Sequence, residues 1–209
     1  MTRSKTTFLT FALCAAIAVG CATTSDIIRV TPEDLSVIKA SFKDNGQAKL
    51  ERLDRDEAQQ LCSNPATVKL ARADAARIEN ANLAAIKYPA DGKLMGDWKQ
   101  GERIAQTGVG KQFSDDVKTP AGGNCYACHQ LSKAEISFGT IGPSLYNYGK
   151  LRGGASAELQ RYTYGRIYNP QVYTACSNMP RFGHNEILTE QQLKDVTALL
   201  LDPQSPVNQ

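Results

Sequence analysis

Residues 125–129 read Cys-Tyr-Ala-Cys-His, a C-x-x-C-H motif. Two thiols three residues apart at the start of a helix can each add to one vinyl group of a haem, and the adjacent imidazole then lies over the iron. The motif therefore predicts one covalently bound haem c, attached through Cys125 and Cys128 and ligated on one face by His129. A chain with this motif has to fold around a large, flat and mainly apolar cofactor.

A C-x-x-C pair also occurs in zinc sites and in redox dithiols. A zinc site needs a second cysteine pair or histidines at ligand spacing, and the chain has only two histidines, His129 and His184. A thioredoxin-like dithiol follows a strand, whereas a loop with proline and glycine at residues 119–124 precedes this motif. Haem attachment is therefore the favoured interpretation.

The N-terminus has the pattern of an export signal. Two basic residues precede an apolar run at residues 8–19, which is shorter than the roughly 20 residues that a membrane-spanning helix needs. We expect a signal peptide at residues 1–22 and a mature chain in the periplasm without a transmembrane segment. The residues before Cys21 also resemble a bacterial lipoprotein box, so lipid attachment at Cys21 is an alternative to cleavage after Ala22.

The charge balance gives no sign of a nucleic-acid partner. The formal net charge is +3 at pH 7, and the export signal contributes two basic residues and no acidic one. The mature chain is therefore close to neutral and lacks the basic excess of a nucleic-acid-binding protein. Since the sequence shows no serine triad, paired histidines or phosphate loop, electron transfer is the chemistry that its own residues support.

Two cysteines, Cys62 and Cys176, belong neither to the motif nor to the export signal. In an oxidising compartment they most simply form a disulfide with each other. Such a bond closes a loop of more than a hundred residues, which in the chain-entropy model stabilises a fold by roughly 4–5 kcal/mol. The alternative is a buried free thiol at either position.

The N-terminal part of the mature chain has helical periodicity. A Thr-Pro-Glu-Asp segment has the pattern of a capped helix start at Thr31, and this helix is expected to end near Phe42. Two further helices are expected at residues 47–62 and 66–86. Because residues 23–90 contain too few large apolar side chains for a core of their own, we expect a helical extension that packs onto the rest of the chain or onto a partner.

Residues 91–209 have the pattern of a small all-helical domain. Its first helix is expected at residues 97–106. The last helix is expected to begin after Thr189, with Gln192 in the capping-box position, and to end at Leu201 before an Asp-Pro pair. The predicted fold class is therefore all-α, with an N-terminal helical extension.

This pattern resembles the class I cytochrome c fold, in which the first and last helices cross and pack on each other. Residues 141–145, Ile-Gly-Pro-Ser-Leu, resemble the Gly-Pro-x-Leu segment of cytochromes c, whose proline carbonyl accepts the second ring N–H of the ligating histidine. The resemblance implies that Pro143 orients His129, which fixes the imidazole tautomer and strengthens donation to iron. A plain turn is the alternative interpretation.

The second axial ligand of the iron has four candidates, Met95, Met179, His184 and Cys176. Met179 is favoured because its polar, turn-forming loop directly precedes the last helix, where cytochrome c folds bring a thioether across the haem. A methionine ligand raises the reduction potential relative to histidine. Filling an apolar gap is the alternative role for Met179. Met95 is more typical of packing and His184 of a hydrogen-bonding loop residue.

Four segments together resemble a narrower family, SoxX, the monohaem subunit of the SoxAX cytochrome of thiosulfate oxidation. These segments are residues 96–102, 122–129, 139–145 and 176–180. The haem motif alone is common to all cytochromes c, but the combination of its Gly-Gly-Asn prefix with the Asn-Met-Pro loop is much narrower.

The resemblance implies a heterodimer with SoxA. In that complex thiosulfate is joined oxidatively to a cysteine of the SoxYZ carrier protein, which is an L-cysteine S-thiosulfotransferase reaction. The resemblance places the catalytic centre at the SoxA haem, so this chain would take electrons from it and pass them to a small acceptor cytochrome c. Two alternatives remain: a freely diffusing periplasmic electron carrier, and a haem-based sensor or cytochrome domain of another oxidoreductase.

Overall fold

The computed structural model describes residues 31–63 and 70–209, so the predicted signal peptide and Cys21 lie outside the described residues. In the described part regular structure is helical, apart from an isolated β-bridge between Asn45 and Ala48. The α-helices are α1 Pro32–Ser41, α2 Glu57–Cys62, α3 Arg72–Ala84, α4 Trp98–Gln106, α5 Ala157–Tyr168 and α6 Glu190–Leu201. Short 3-10 turns lie at Leu50–Leu53, Cys125–Ala127, Lys150–Arg152, Pro170–Val172 and Pro206–Asn208. The predicted all-α fold class is confirmed.

Helices α4 and α6 begin and end within one residue of the predicted positions. Asp97 caps α4, because its side chain accepts a hydrogen bond from the Lys99 backbone N–H at 2.9 Å. Thr189 and Gln192 form a capping box at the start of α6, in which each side chain accepts from the backbone N–H of the other residue. Both helix starts are therefore set by local hydrogen bonds, and the capping box at the start of α6 is the one that the sequence predicts.

Helices α4 and α6 cross in close contact, as the class I cytochrome c architecture predicts. A Cβ atom at Gly101 of α4 would lie 2.7 Å from the backbone carbon of Asp195 and 3.0 Å from Leu199 Cβ, so only glycine permits this approach. The buried Asp195 carboxylate also accepts hydrogen bonds from the Asp97 backbone N–H at 2.9 Å and from the Gln191 side chain at 2.8 Å. The crossing is thus fixed by packing and by a buried carboxylate.

Helix α5 is not predicted from the sequence pattern. Ser156 caps its start by accepting a backbone hydrogen bond. Tyr164, Ile167 and Tyr168 form its buried face and belong to the same hydrophobic cluster as the α6 side chains. Their i, i+3, i+4 spacing is a helical signal, but Gly165 and the aromatic residues lower the helix propensity and obscure it.

The predicted helix over residues 47–62 is wrong, because two shorter elements replace it. A 3-10 turn covers Leu50–Leu53, and the backbone is extended at Asp56, where ψ is 174°. Asp56 then caps α2 in a capping box with Gln59. An aspartate whose side chain binds the N–H three residues further on favours a helix start over a helix interior, so the helix is interrupted there.

The other two predicted N-terminal helices are present. Thr31 caps α1 in a capping box with Asp34. Helix α3 lies within the predicted range 66–86, of which residues 66–69 are outside the described part. All these helices are short, and among the described residues none is both long and apolar enough to cross a membrane.

Helix α3 packs on the C-terminal part of the chain. It contacts the 3-10 turn Pro170–Val172 and buries Ile78. The buried Asn169 side chain donates a hydrogen bond to the Asn82 side chain of α3 at 2.7 Å. Of the two arrangements expected for the N-terminal extension, the structure therefore shows packing onto the rest of the chain.

Candidate haem site

The C-x-x-C-H motif forms a single turn. Asn124, in the left-handed conformation with φ of 46°, precedes the 3-10 turn Cys125–Ala127. The backbone N–H groups of Cys128 and His129 both donate to the Cys125 carbonyl, at 3.1 and 2.9 Å. The start of a longer helix is expected here from the sequence, and the structure corrects this, because the backbone leaves the helical conformation at Cys128, where φ is −120°. One turn is enough to bring both thiols and the imidazole together.

Cys125 and Cys128 form no disulfide. Cys125 is half-buried and packs against the hydrophobic core. Burial raises the pKa of Cys125 to about 12, so this thiol is neutral at physiological pH. Reactive dithiols lie instead in electropositive surroundings that stabilise a thiolate. In residues 31–63 and 70–209, no group of three or more His, Cys, Asp or Glu side chains could hold a metal ion.

The imidazole of His129 is held by the segment that follows the motif. The Gly142 backbone N–H donates to the Cys128 carbonyl at 2.9 Å. This contact places the Pro143 carbonyl oxygen 2.7 Å from His129 Nδ1. Because a carbonyl oxygen can only accept, Nδ1 carries the proton, and Nε2 keeps the lone pair that can bind iron.

Met179 lies in the loop between α5 and α6. Its side chain is half-buried and packs against the same hydrophobic core as Cys125. Its backbone N–H donates to Ser177 Oγ at 3.3 Å. The thioether sulfur, whose lone pair can bind a metal, thus lies at the edge of the core. A hydrogen bond within its own loop partly fixes the backbone there.

The other candidate ligands have different surroundings. Cys176 forms a disulfide and has no free thiol. Met95 is half-buried and packs against the core, in the manner of a packing residue. His184 is exposed, and its pKa is lowered by partial desolvation and by the charge of Arg181, with Asp56 acting in the opposite direction. An exposed, largely neutral imidazole is typical of a surface loop.

Exposed apolar side chains follow the motif in the chain. Ile136 is 93% exposed, Ile141 79% and Phe138 37%, although side chains of this kind are usually buried. Apolar surface beside two attachment cysteines fits a flat and mainly apolar cofactor. Two thiols, an imidazole with a free Nε2 and a thioether are also the donor set of a haem c with histidine and methionine ligands. The residues present therefore fit this group.

Residues 101–202, which contain the motif, Pro143 and Met179, match the family described as cytochrome c. A protein of Aquifex aeolicus (strain VF5), named an uncharacterized lipoprotein, is 40% identical to the chain over 157 residues, which are 74% of this chain and 73% of that protein. The chain therefore contains a cytochrome c domain at residues 101–202. A cytochrome c domain implies an electron-transfer protein with covalently bound haem c.

The cytochrome contains the predicted disulfide between Cys62 and Cys176. Their Cα atoms lie 5.3 Å apart, which is in the usual range for this bond. The alternative of a buried free thiol at either position is therefore excluded. The disulfide joins the end of α2 to the loop that carries Met179.

A side chain at Gly142 of the cytochrome has no room beside His129. A Cβ atom there would lie 2.5 Å from His129 Nδ1 and 2.7 Å from Nε2. We therefore expect Gly142→Ala to displace the imidazole and to lower several-fold the yield of protein with a wild-type haem spectrum. Pro143→Ala is the matched control, because it keeps the backbone carbonyl that accepts from Nδ1. A wild-type spectrum and yield for Gly142→Ala would contradict the close contact.

Two residues next to the site are not identified from the sequence. Gly142 lies within the Gly-Pro-x-Leu segment that is identified from the sequence, but only the structure shows that Gly142 lies against the His129 ring. Arg181 is 8% exposed, and its Nη1 lies 2.6 Å from Asp56 Oδ2. Arg181 and Asp56 are 125 positions apart, and no local sequence pattern predicts a contact at that separation.

Proposed function

We propose that this cytochrome is the monohaem subunit of a SoxAX complex, in which it takes electrons from its partner and passes them to a small acceptor cytochrome c. The observation that carries the proposal is the combination of Gly-Gly-Asn at residues 122–124 with Asn-Met-Pro at residues 178–180, which together resemble SoxX. Both segments adjoin the site: Asn124 precedes the turn of the haem motif, and Met179 carries the candidate thioether ligand.

In this proposal each residue of the site has one task. Cys125 and Cys128 would hold one haem through thioether bonds, and His129 Nε2 and the Met179 sulfur would bind its iron. Pro143 orients the His129 ring through Nδ1. The haem supplies a one-electron Fe(III)/Fe(II) couple when bound there. With both of these ligands bound, the iron would keep no position open for a small molecule, which would suit electron transfer better than a sensor role.

The proposed partner is SoxA, in a heterodimer with L-cysteine S-thiosulfotransferase activity. Joining thiosulfate to a cysteine thiol of SoxYZ forms a sulfur–sulfur bond and releases two electrons and a proton. A single haem accepts electrons one at a time, so this chain acts as a relay while the bond forms at the SoxA haem. We assign no catalytic residue to this chain.

We also propose that the chain works in the periplasm. Support comes from the export pattern at residues 1–22 and from the Aquifex relative, whose name describes it as a lipoprotein. That name favours lipid attachment at Cys21 over cleavage after Ala22. An acyl anchor at Cys21 would hold the cytochrome at the membrane surface.

Purification of the untagged protein from thiosulfate-grown native cells tests the proposed function. We expect a second cytochrome to co-elute with the haem-stained chain at one-to-one stoichiometry, identified by mass spectrometry. Addition of the SoxYZ carrier protein and thiosulfate to this fraction should then reduce the haem. A chain that elutes as a lone monomer, with no thiosulfate-dependent reduction, would contradict the subunit role and favour a freely diffusing carrier.

A further inference from the structure

The N-terminal extension contacts the loop that carries Met179 at three points. We define the methionine loop as residues 174–181. It contacts Asp56, Cys62 and Glu79, which lie at the cap of α2, at the end of α2 and on α3. Two of the contacts precede Met179 in the chain and one follows it.

The first contact is covalent. Cys62, the last residue of α2, is bonded to Cys176, three residues before Met179. Cys176 has a φ of 62°, in the left-handed region that residues with a Cβ atom rarely adopt. The disulfide therefore holds the loop in a backbone conformation that the free chain disfavours.

The second contact is an ion pair. Arg181, two residues after Met179, donates from Nη1 to Asp56 Oδ2 at 2.6 Å. Since Arg181 is buried, its guanidinium depends on this partner. Asp56 is itself fixed, because its Oδ1 accepts from the Gln59 backbone N–H at 2.8 Å. Burial alone would raise the pKa of Asp56, but the hydrogen bonds from Gln59 and Arg181 lower it overall.

The third contact comes from α3. Glu79 Oε1 accepts from the Ala175 backbone N–H at 3.0 Å. Helix α3 is held in place by the buried Ile78 and by the hydrogen bond between Asn169 and Asn82. Glu79 therefore presents its carboxylate to the methionine loop from a fixed helix.

We propose that Asp56, Cys62 and Glu79 are positioning residues that keep the Met179 sulfur on the haem iron. The inference rests on the proposed ligation of iron by Met179. A loop that is held before and after its methionine has fewer conformations in which the sulfur is away from the metal. Binding of the sulfur to iron therefore costs less conformational entropy. The extension thereby controls how readily external ligands reach the iron.

Two variants of the holo-protein each remove one of the three contacts, the ion pair in the first and the disulfide in the second. Asp56→Asn removes the charge of the ion pair but keeps a helix cap, because asparagine caps about as well as aspartate. Cys62→Ser combined with Cys176→Ser removes the disulfide. Asp74→Asn is the matched control, since it removes a carboxylate that pairs with Arg77 on α3 and does not contact the methionine loop.

The rate at which the ferric haem binds added imidazole reports opening of the sixth coordination position. We expect each variant to bind imidazole about tenfold faster than wild type, which corresponds to about 1.4 kcal/mol. The near-infrared absorption band of methionine-ligated ferric haem should weaken in parallel, and Asp74→Asn should match wild type. Wild-type rates in Asp56→Asn and in the disulfide variant would overturn the positioning role. If the disulfide variant does not accumulate, the imidazole-binding rate of Asp56→Asn alone tests the positioning role.

Met179→Ala separates this inference from the proposed function. Loss of the near-infrared band in Met179→Ala, with wild-type behaviour of Asp56→Asn and of the disulfide variant, would reject the positioning role alone. A wild-type band in Met179→Ala would reject ligation by Met179 and, with it, the positioning role.

Discussion

Replacing both Cys125 and Cys128 by alanine is expected to abolish covalent haem attachment completely. Each thioether bond needs a cysteine at the motif, and among the described residues these two are the cysteines that form no disulfide. Any haem that still associates with the variant would be held by axial ligation alone and would leave on denaturation. A haem-stained denaturing gel and the intact mass measure the effect.

The disulfide variant, Cys62→Ser with Cys176→Ser, is the control for this experiment. It also removes two sulfur atoms, but the structure places that pair in a disulfide outside the motif, so its haem stain under denaturing conditions should persist. Haem that stays bound to denatured Cys125→Ala/Cys128→Ala protein would show that attachment lies elsewhere.

Met179→Ala is expected to lower the reduction potential of the haem and to open the iron to added ligands. A thioether favours reduced iron, so its loss favours the ferric state. Axial ligands tune haem potentials over about 0.8 V, and we expect a drop on the order of 0.1–0.3 V. Potentiometric titration of the purified variant measures the shift, and cyanide binding to the ferric protein measures access to the iron.

Met95→Ala and His184→Ala are the matched controls for Met179→Ala. Met95 packs against the core as Met179 does, so its loss tests whether a smaller side chain at the core edge is enough to shift the potential. His184 is the exposed alternative ligand. A wild-type potential in Met179→Ala, with a large drop in either control, would transfer the ligand role to that residue.

Features encoded by neighbouring residues could be predicted from the sequence. The Thr189–Gln192 pair caps α6 through contacts within three residues, so this capping box could be recognised without a structure. The Cys62–Cys176 disulfide was predictable for another reason, since these cysteines are the pair left after the motif and the export signal are assigned.

Features that depend on distant residues or on competing local preferences could not be predicted. The break before α2 arises because Asp56 binds the Gln59 backbone N–H, which outweighs the apolar periodicity of residues 47–62. The same Asp56 carboxylate meets Arg181 only after folding. The close approach of Gly142 to the His129 ring is likewise set by the path of residues 139–143 along the motif.

We propose that one haem c is ligated by His129 and Met179. Near-infrared magnetic circular dichroism of the native ferric protein tests it most directly, because the energy of the charge-transfer band identifies the axial ligand pair. A histidine–methionine pair is the predicted result. A histidine–histidine pair, or an iron with one protein ligand, would contradict the claim and with it the electron-transfer role of the Met179 loop.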